Sequence, residues 1–148
     1  MLRFFYALFV VVLLSGCYPM PFREQQVSIA QINVQLGMSD IEREQLVAAK
    51  QKLSLALQQA PTLPEAWYSM GYYLEITGQT AEAERYYLKA VALAPDRPDV
   101  QKNYGNYLCR HQRYREGLQH LHVAIKYSNL DRAALDKDAA LCGMHQVS

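Results

Sequence analysis

Three cysteines and four histidines are the residues best suited to covalent, redox or metal chemistry in this chain of 148 residues. The histidines His111, His120, His122 and His145 lack a ligand spacing, since neither His-x-x-x-His nor Cys-x-x-Cys occurs. His120 and His122 stand two apart, so on a helix they point in largely different directions. All four read as surface or edge histidines. Asp136, Asp138 and the glutamates are spread as on a solvated face. No Gly-rich phosphate loop, nucleophilic triad or paired-carboxylate motif is present. Lys and Arg total 15 against 14 Asp and Glu, with no charge run, so nothing marks a basic footprint for nucleic acid. These residues predict a non-enzyme with no cofactor, no metal, no nucleic acid and no small-molecule substrate. The cysteines separate into one plus two. Cys17 ends an apolar N-terminal stretch, whereas Cys109 and Cys142 sit deep in the chain.

Arg3 precedes an unbroken apolar run from Phe4 to Leu14, and Leu14-Ser15-Gly16-Cys17 follows. Charged start, short apolar stretch and small residues at a cut are the parts of a secretory signal. A transmembrane anchor is the first alternative, but a spanning helix needs about 20 apolar residues, and Tyr18-Pro19-Met20-Pro21 stops the run short of that. An ordinary signal peptide is the second, but it has no need of a cysteine at the cut. Leu-Ser-Gly-Cys resembles the lipobox of bacterial lipoproteins. That resemblance implies residues 1–16 as signal peptide, lipid on Cys17 and a near-neutral mature chain. It also implies stable anchoring, because lipoproteins carry three acyl chains where one alone binds weakly. Tyr18, rather than Asp, follows the cysteine, which by the same resemblance implies the periplasmic face of the outer membrane. Residues 17–27 are expected to be a lipidated tether, extended by its two prolines.

Beyond the tether, similar residues recur every 34 positions: Gly37, Gly71 and Gly105; Ala49, Ala83 and Gly117; Leu53, Tyr87 and Leu121; Ala56, Ala90 and Ala124. Pro61 and Pro95 close the first two units. This period, with this order of small and large residues, is the pattern of tetratricopeptide (TPR) repeats. The second unit carries it most fully, in Trp67, Met70, Gly71, Leu74, Ala83, Tyr87, Ala90 and Pro95. An unrelated helical bundle would not repeat those positions. Gly78 is expected to take a left-handed cap between the two helices of that unit. The third unit departs, with Gln101 where Trp67 stands and Asn129 in place of a closing proline. The predicted fold is all-α: a TPR-type helix-turn-helix solenoid of about three repeats plus a terminal capping helix. The TPR domain spans 28–148, with units at about 30–63, 64–97 and 98–132 and a partial one at 133–148. Helices are expected at about 28–42, 44–58, 64–77, 80–93, 98–111, 114–127 and 132–145, where apolar residues recur at helical spacing.

The third unit reads Lys102-Asn103-Tyr104-Gly105-Asn106-Tyr107-Leu108-Cys109-Arg110, then Gln112-Arg113-Tyr114. This resembles the N-Y-G-N-[FY]-L-C-R…R-Y stretch of the PilF/PilW family of type IV pilus biogenesis lipoproteins. Ala140-Leu141-Cys142 is similar to the family's second cysteine segment, and Gln31-Ile32-Asn33-Val34-Gln35-Leu36-Gly37 to its first repeat. The resemblance implies a pilotin, which escorts the outer-membrane secretin of the pilus or supports its assembly. It also implies about twice as many repeats, so the chain is expected to be a short form. The alternative is a general TPR scaffold lipoprotein for another envelope complex.

First helices of adjacent TPR units stack side by side, which brings Cys109 near Cys142. In an oxidising periplasm a disulfide is favoured over two buried free thiols. TPR grooves are lined by first-helix positions 2, 5, 9 and 12, which in unit two are Glu65, Tyr68, Tyr72 and Glu75. Val34, Met38, Ile41, Tyr68 and Tyr72 form the expected apolar and aromatic patch for a partner. Lys102 and Asn106 form its polar end, with Asp99 also in the unit-three set. Only Lys102, Asn103 and Asn106 fit the terminal-carboxylate binding of chaperone-type TPRs.

Metabolic labelling with a fatty acid should tag the wild type and leave Cys17→Ser unlabelled. Equal labelling of both proteins would remove the lipid assignment.

Overall fold

The computed structural model describes residues 22–128 and 132–146. The expected signal segment, Cys17 and Asn129 lie outside the described residues. Those described form seven α-helices and no strand: α1 (Phe22–Glu42), α2 (Leu46–Gln59), α3 (Pro64–Ile76), α4 (Thr80–Leu93), α5 (Pro98–Arg110), α6 (Tyr114–Tyr127) and α7 (Arg132–Gln146). They pack as antiparallel pairs α1/α2, α3/α4 and α5/α6, and α7 lies against α6 and α5. This is the TPR solenoid that the 34-residue period predicts.

Small residues hold each pair together. A Cβ on Gly71 would lie 3.2 Å from the Tyr87 ring and 3.3 Å from Ala83 O. On Gly105 it would lie 2.9 Å from Leu121 Cγ and 3.0 Å from Gly117 O. Gly117 takes the slot of Ala49 and Ala83, and here even a methyl is too large, because it would strike Cys109 Sγ. Around these crossings Leu53, Tyr87 and Leu121 are fully buried. Pro64 and Pro98 open α3 and α5, where a missing N–H costs nothing and φ is already set for a helix.

Each pair turns through the same corner. Gly78 has φ 82°, and Glu44 and Gln112, one repeat before and after, have φ 60° and 63°. In all three corners the next residue's N–H reaches back five positions: Gln45 to Asp40 O (2.8 Å), Gln79 to Leu74 O (2.8 Å) and Arg113 to Leu108 O (2.9 Å). This is the Schellman closure of a helix end. The expected left-handed cap at Gly78 is present. The two non-glycine corners were not anticipated. They also explain why α2 starts at Leu46 rather than at 44.

Two further features differ from expectation. Residues 22–27, expected to be part of an extended tether, are helical, because α1 begins at Phe22. Past Pro21 the sequence turns to helix formers, Arg23-Glu24-Gln25-Gln26. Val27 then packs against the cluster of Ala30, Val34, Ala56, Ala60, Leu63 and Ala66. Second, Gln101 is not a loss of the repeat. Trp67 Nε1 donates to Pro61 O at 2.8 Å, and Gln101 Nε2 donates to Pro95 O, the equivalent carbonyl one unit later. In unit one the slot holds Asn33, whose Nδ2 donates to Gln59 Oε1 at 2.9 Å. The slot therefore keeps an N–H donor whatever side chain carries it.

A left-handed backbone costs an L-residue roughly 1–2 kcal/mol, part of which glycine gives back in chain entropy. Glu44→Gly and Gln112→Gly should each raise stability by about 0.5–1 kcal/mol in urea unfolding, and Gly78→Ala should lower it by about 1 kcal/mol.

Candidate functional site: a cleft across the first helices

The first helices α1, α3, α5 and α7 follow one another side by side, so residues at one repeat position form a row across the units. The rows behave differently. Position 9 holds Met38, Tyr72 and Asn106, and all three line one open cleft of about 320 Å³. Ile41, Glu42, Asn103 and Arg110 complete its lining. Position 5 holds Val34, Tyr68 and Lys102, and none of them lines it. These side chains lean onto the next unit instead. Val34 is buried against Leu63 and Ala66. The Tyr68 hydroxyl donates to Asp99 Oδ2 at 3.2 Å. Lys102 Nζ pairs with Asp138 at 3.5 Å. Of the seven groove residues expected from the sequence, Met38, Ile41, Tyr72 and Asn106 thus meet in one cleft. Val34, Tyr68 and Lys102 belong to the seams between units. Ile41 is itself 8% exposed and supplies floor rather than rim.

The cleft's polar groups are mostly spoken for. Arg110 donates from Nε and Nη2 to the two oxygens of Glu75 at 2.8 and 2.7 Å. Its guanidinium lies 5.8 Å from the Tyr72 ring centre. Glu75 also accepts from the Tyr87 hydroxyl at 3.1 Å and lies 3.2 Å from His111 Nε2. Its side chain is only 9% exposed, so three partners compensate a carboxylate taken out of water. Burial, and after it the charge of Glu75, holds the Tyr87 hydroxyl well above its usual range. Burial also raises Tyr68, with Asp99 and Glu65 adding to it. Tyr104 is pushed up to about 12 by burial and by its bond to Glu84. Each of these hydroxyls donates to a carboxylate, of Asp99, Glu75 and Glu84 in turn for Tyr68, Tyr87 and Tyr104. His120 is half-buried against Tyr104, with ring centres 4.6 Å apart, and its Nδ1 bonds Gln101 Oε1. Burial lowers its pKa below the ordinary imidazole value.

A second opening, about 460 Å³, shares Asn106 and Arg110 with this cleft and runs past Cys109, Tyr114 and Cys142. The structure joins the two cysteines as a disulfide, with Cα atoms 5.5 Å apart. Among the described residues no cluster of three or more His, Cys, Asp or Glu side chains is placed to hold a metal. Among the same residues no helix is long and apolar enough to cross a membrane. The cleft residues missed from the sequence are Glu42 and Arg110; Asn103 was considered only for a terminal carboxylate. Glu42 and Arg110 share one repeat position, two units apart, and that register was the available signal.

A tetratricopeptide-repeat family model matches residues 64–107. An uncharacterised protein of Haemophilus influenzae is 28% identical over 100 residues, covering 68% of this chain and 56% of that protein. Among solved structures, that described as a functional characterisation of Pseudomonas aeruginosa pilF matches with a TM-score of 0.76 at 24% identity. The match covers 84% of this chain and 55% of that one. A mutant O-GlcNAc transferase of Thermobaculum terrenum matches with a TM-score of 0.67 at 20% identity, over 79% of this chain and 22% of that one. The chain spans little more than half the length of the Haemophilus protein. The likenesses agree on the fold, a TPR scaffold, which typically joins proteins together and does no catalysis.

Removing the Glu75 carboxylate leaves the Tyr87 hydroxyl without its acceptor, while Arg110, nearly half exposed, turns to water. Glu75→Ala should therefore cost about 2–3 kcal/mol of stability, read as a lower denaturant midpoint. A change within about 0.5 kcal/mol would show that the carboxylate is not a joint between units two and three.

Proposed function

We propose that this chain is a lipid-anchored TPR protein of the outer membrane that acts like a pilotin for the secretin of a type IV pilus, with the first-helix cleft as docking site. One observation carries the reading: the run Asn103-Tyr104-Gly105-Asn106-Tyr107-Leu108-Cys109-Arg110 resembles the PilF/PilW stretch, and each part of it has a place. Tyr104, Tyr107 and Leu108 are buried. Asn103, Asn106 and Arg110 line the cleft, and Cys109 is joined to Cys142. The match in fold to the Pseudomonas aeruginosa pilF structure supports it. So does Leu14-Ser15-Gly16-Cys17, which resembles a lipoprotein cut site and implies the oxidising compartment in which the disulfide persists.

Tyr72 is the anchor to test, because it lines the cleft while Tyr68 is bonded into the seam. Truncating one buried aromatic anchor costs about 2 kcal/mol of binding, roughly thirtyfold. Tyr72→Ala, shown to be folded by circular dichroism, should lower secretin capture by that factor and reduce the secretin multimer in the outer membrane. Normal multimer in this variant would move the docking site off the cleft. Normal multimer in a deletion strain, with another envelope complex altered, would favour a general scaffold.

A further inference from the structure

The cleft has an uneven balance of donors and acceptors. Asn103 Nδ2 donates to Asp99 O at 2.8 Å, and Asn106 Nδ2 donates to Asp138 at 3.1 Å. The charge of Arg110 is matched by the bidentate Glu75. The cations and amide nitrogens that would greet an anionic ligand are thus engaged by acids and a carbonyl of the chain itself. Acceptors remain. Among the described residues the amide oxygens of Asn103 and Asn106 accept no hydrogen bond, and Glu42 has no ion-pair partner. Glu42 is exposed, ends α1, and has no basic residue in the same last turn. A helix C-terminus adds partial negative charge to its carboxylate. Met38, Ile41 and Tyr72 supply an apolar wall beside it.

We propose that the cleft takes an extended peptide segment carrying a Lys or Arg side chain next to a large apolar one. This deepens the docking site proposed above and rests on that reading. The cation meets Glu42 at the end of α1, and the apolar side chain lies on Met38 and Tyr72. Peptide N–H groups supply donors to the two asparagine oxygens. A terminal carboxylate, the ligand of chaperone-type TPRs, would face Glu42 and find Arg110 and Asn106 already engaged. Charge complementarity chooses the occupant here, as it fixes register and rejects wrong partners at other interfaces.

The test uses the detergent-solubilised full chain and three fluorescent peptides of equal length that differ at one residue beside a leucine: lysine, glutamine or glutamate. Anisotropy at low salt should rank lysine first, with at least a tenfold gap to glutamate. The gap should shrink several-fold in about 0.5 M NaCl, where exposed charges are screened beyond about 4 Å. It should vanish in Glu42→Gln and reverse in Glu42→Lys, both checked for helix content. Equal or tighter binding of the glutamate peptide overturns the inference. So does a lysine preference that survives Glu42→Gln unchanged, and so does failure of all three peptides to bind. Those failures are separable from failure of the docking reading, which the secretin multimer in Tyr72→Ala judges alone.

Discussion

In each repeat two helices approach so closely that a methyl added at the first helix's glycine would crowd or strike the second helix. At the third pair both sides of the contact are glycine, Gly105 and Gly117, and Gly117 also makes room for the Cys109 sulfur. Much of the rest follows from that closeness. It turns the first helices to one side of the stack and the second helices to the other, so each first helix keeps a face free of its own partner. That face is where the cleft forms. It also leaves large side chains only one direction to go, into the junction between units. Tyr87, Tyr104 and Tyr107 fill the junction of units two and three, with ring centres 4.8 to 6.2 Å apart. A tyrosine can fill such a junction because its polar tip still finds a partner. The hydroxyls of Tyr87, Tyr104 and Tyr107 reach Glu75, Glu84 and Thr80 O at 3.1, 3.0 and 3.1 Å.

The architecture was legible because it is written in spacing. Period 34 placed the helices, most to within a residue or two, and set Cys109 and Cys142 on neighbouring first helices. What spacing does not carry is the direction a side chain takes once a neighbouring unit is present. Val34, Tyr68 and Lys102 occupy a groove position by register, yet each finds a better partner across the seam than in the open face. Nor does spacing report backbone strain. Glu44 and Gln112 show no sign of a left-handed corner in their own residue types, and only alignment with Gly78 one repeat away reveals it. The same holds for Gln101, which looked like a lost Trp67. Its amide makes the tryptophan's hydrogen bond to the equivalent carbonyl one unit later, so the repeat keeps a donor where it changes a shape. The balance of donors and acceptors in the cleft was not legible, because it depends on bonds between units that the one-dimensional sequence does not list.

The links between units are nearest-neighbour links. Arg97 reaches Glu65 and Arg110 reaches Glu75, each at 2.7 Å; Arg113 reaches Glu84; Asp138 reaches back to Lys102 at 3.5 Å. Three of these pairs join one unit to the next, and Arg97, at the N-cap of α5, ties the start of that helix back to α3. Most are partly exposed, and pairs of that kind contribute little singly. Glu75 is the exception, at 9% exposure with three partners. Stability in such a stack is close to a sum over units and interfaces. The cleft is not additive in that way. Its lining comes from α1, α3 and α5, so it exists only when three units are in register at once. A change that loosens one interface by an amount the stack tolerates can therefore still separate Met38 from Tyr72, or Tyr72 from Asn106. The cleft's geometry is then lost before the fold is, and the two interfaces that hold those rows together shape it as much as the residues that line it.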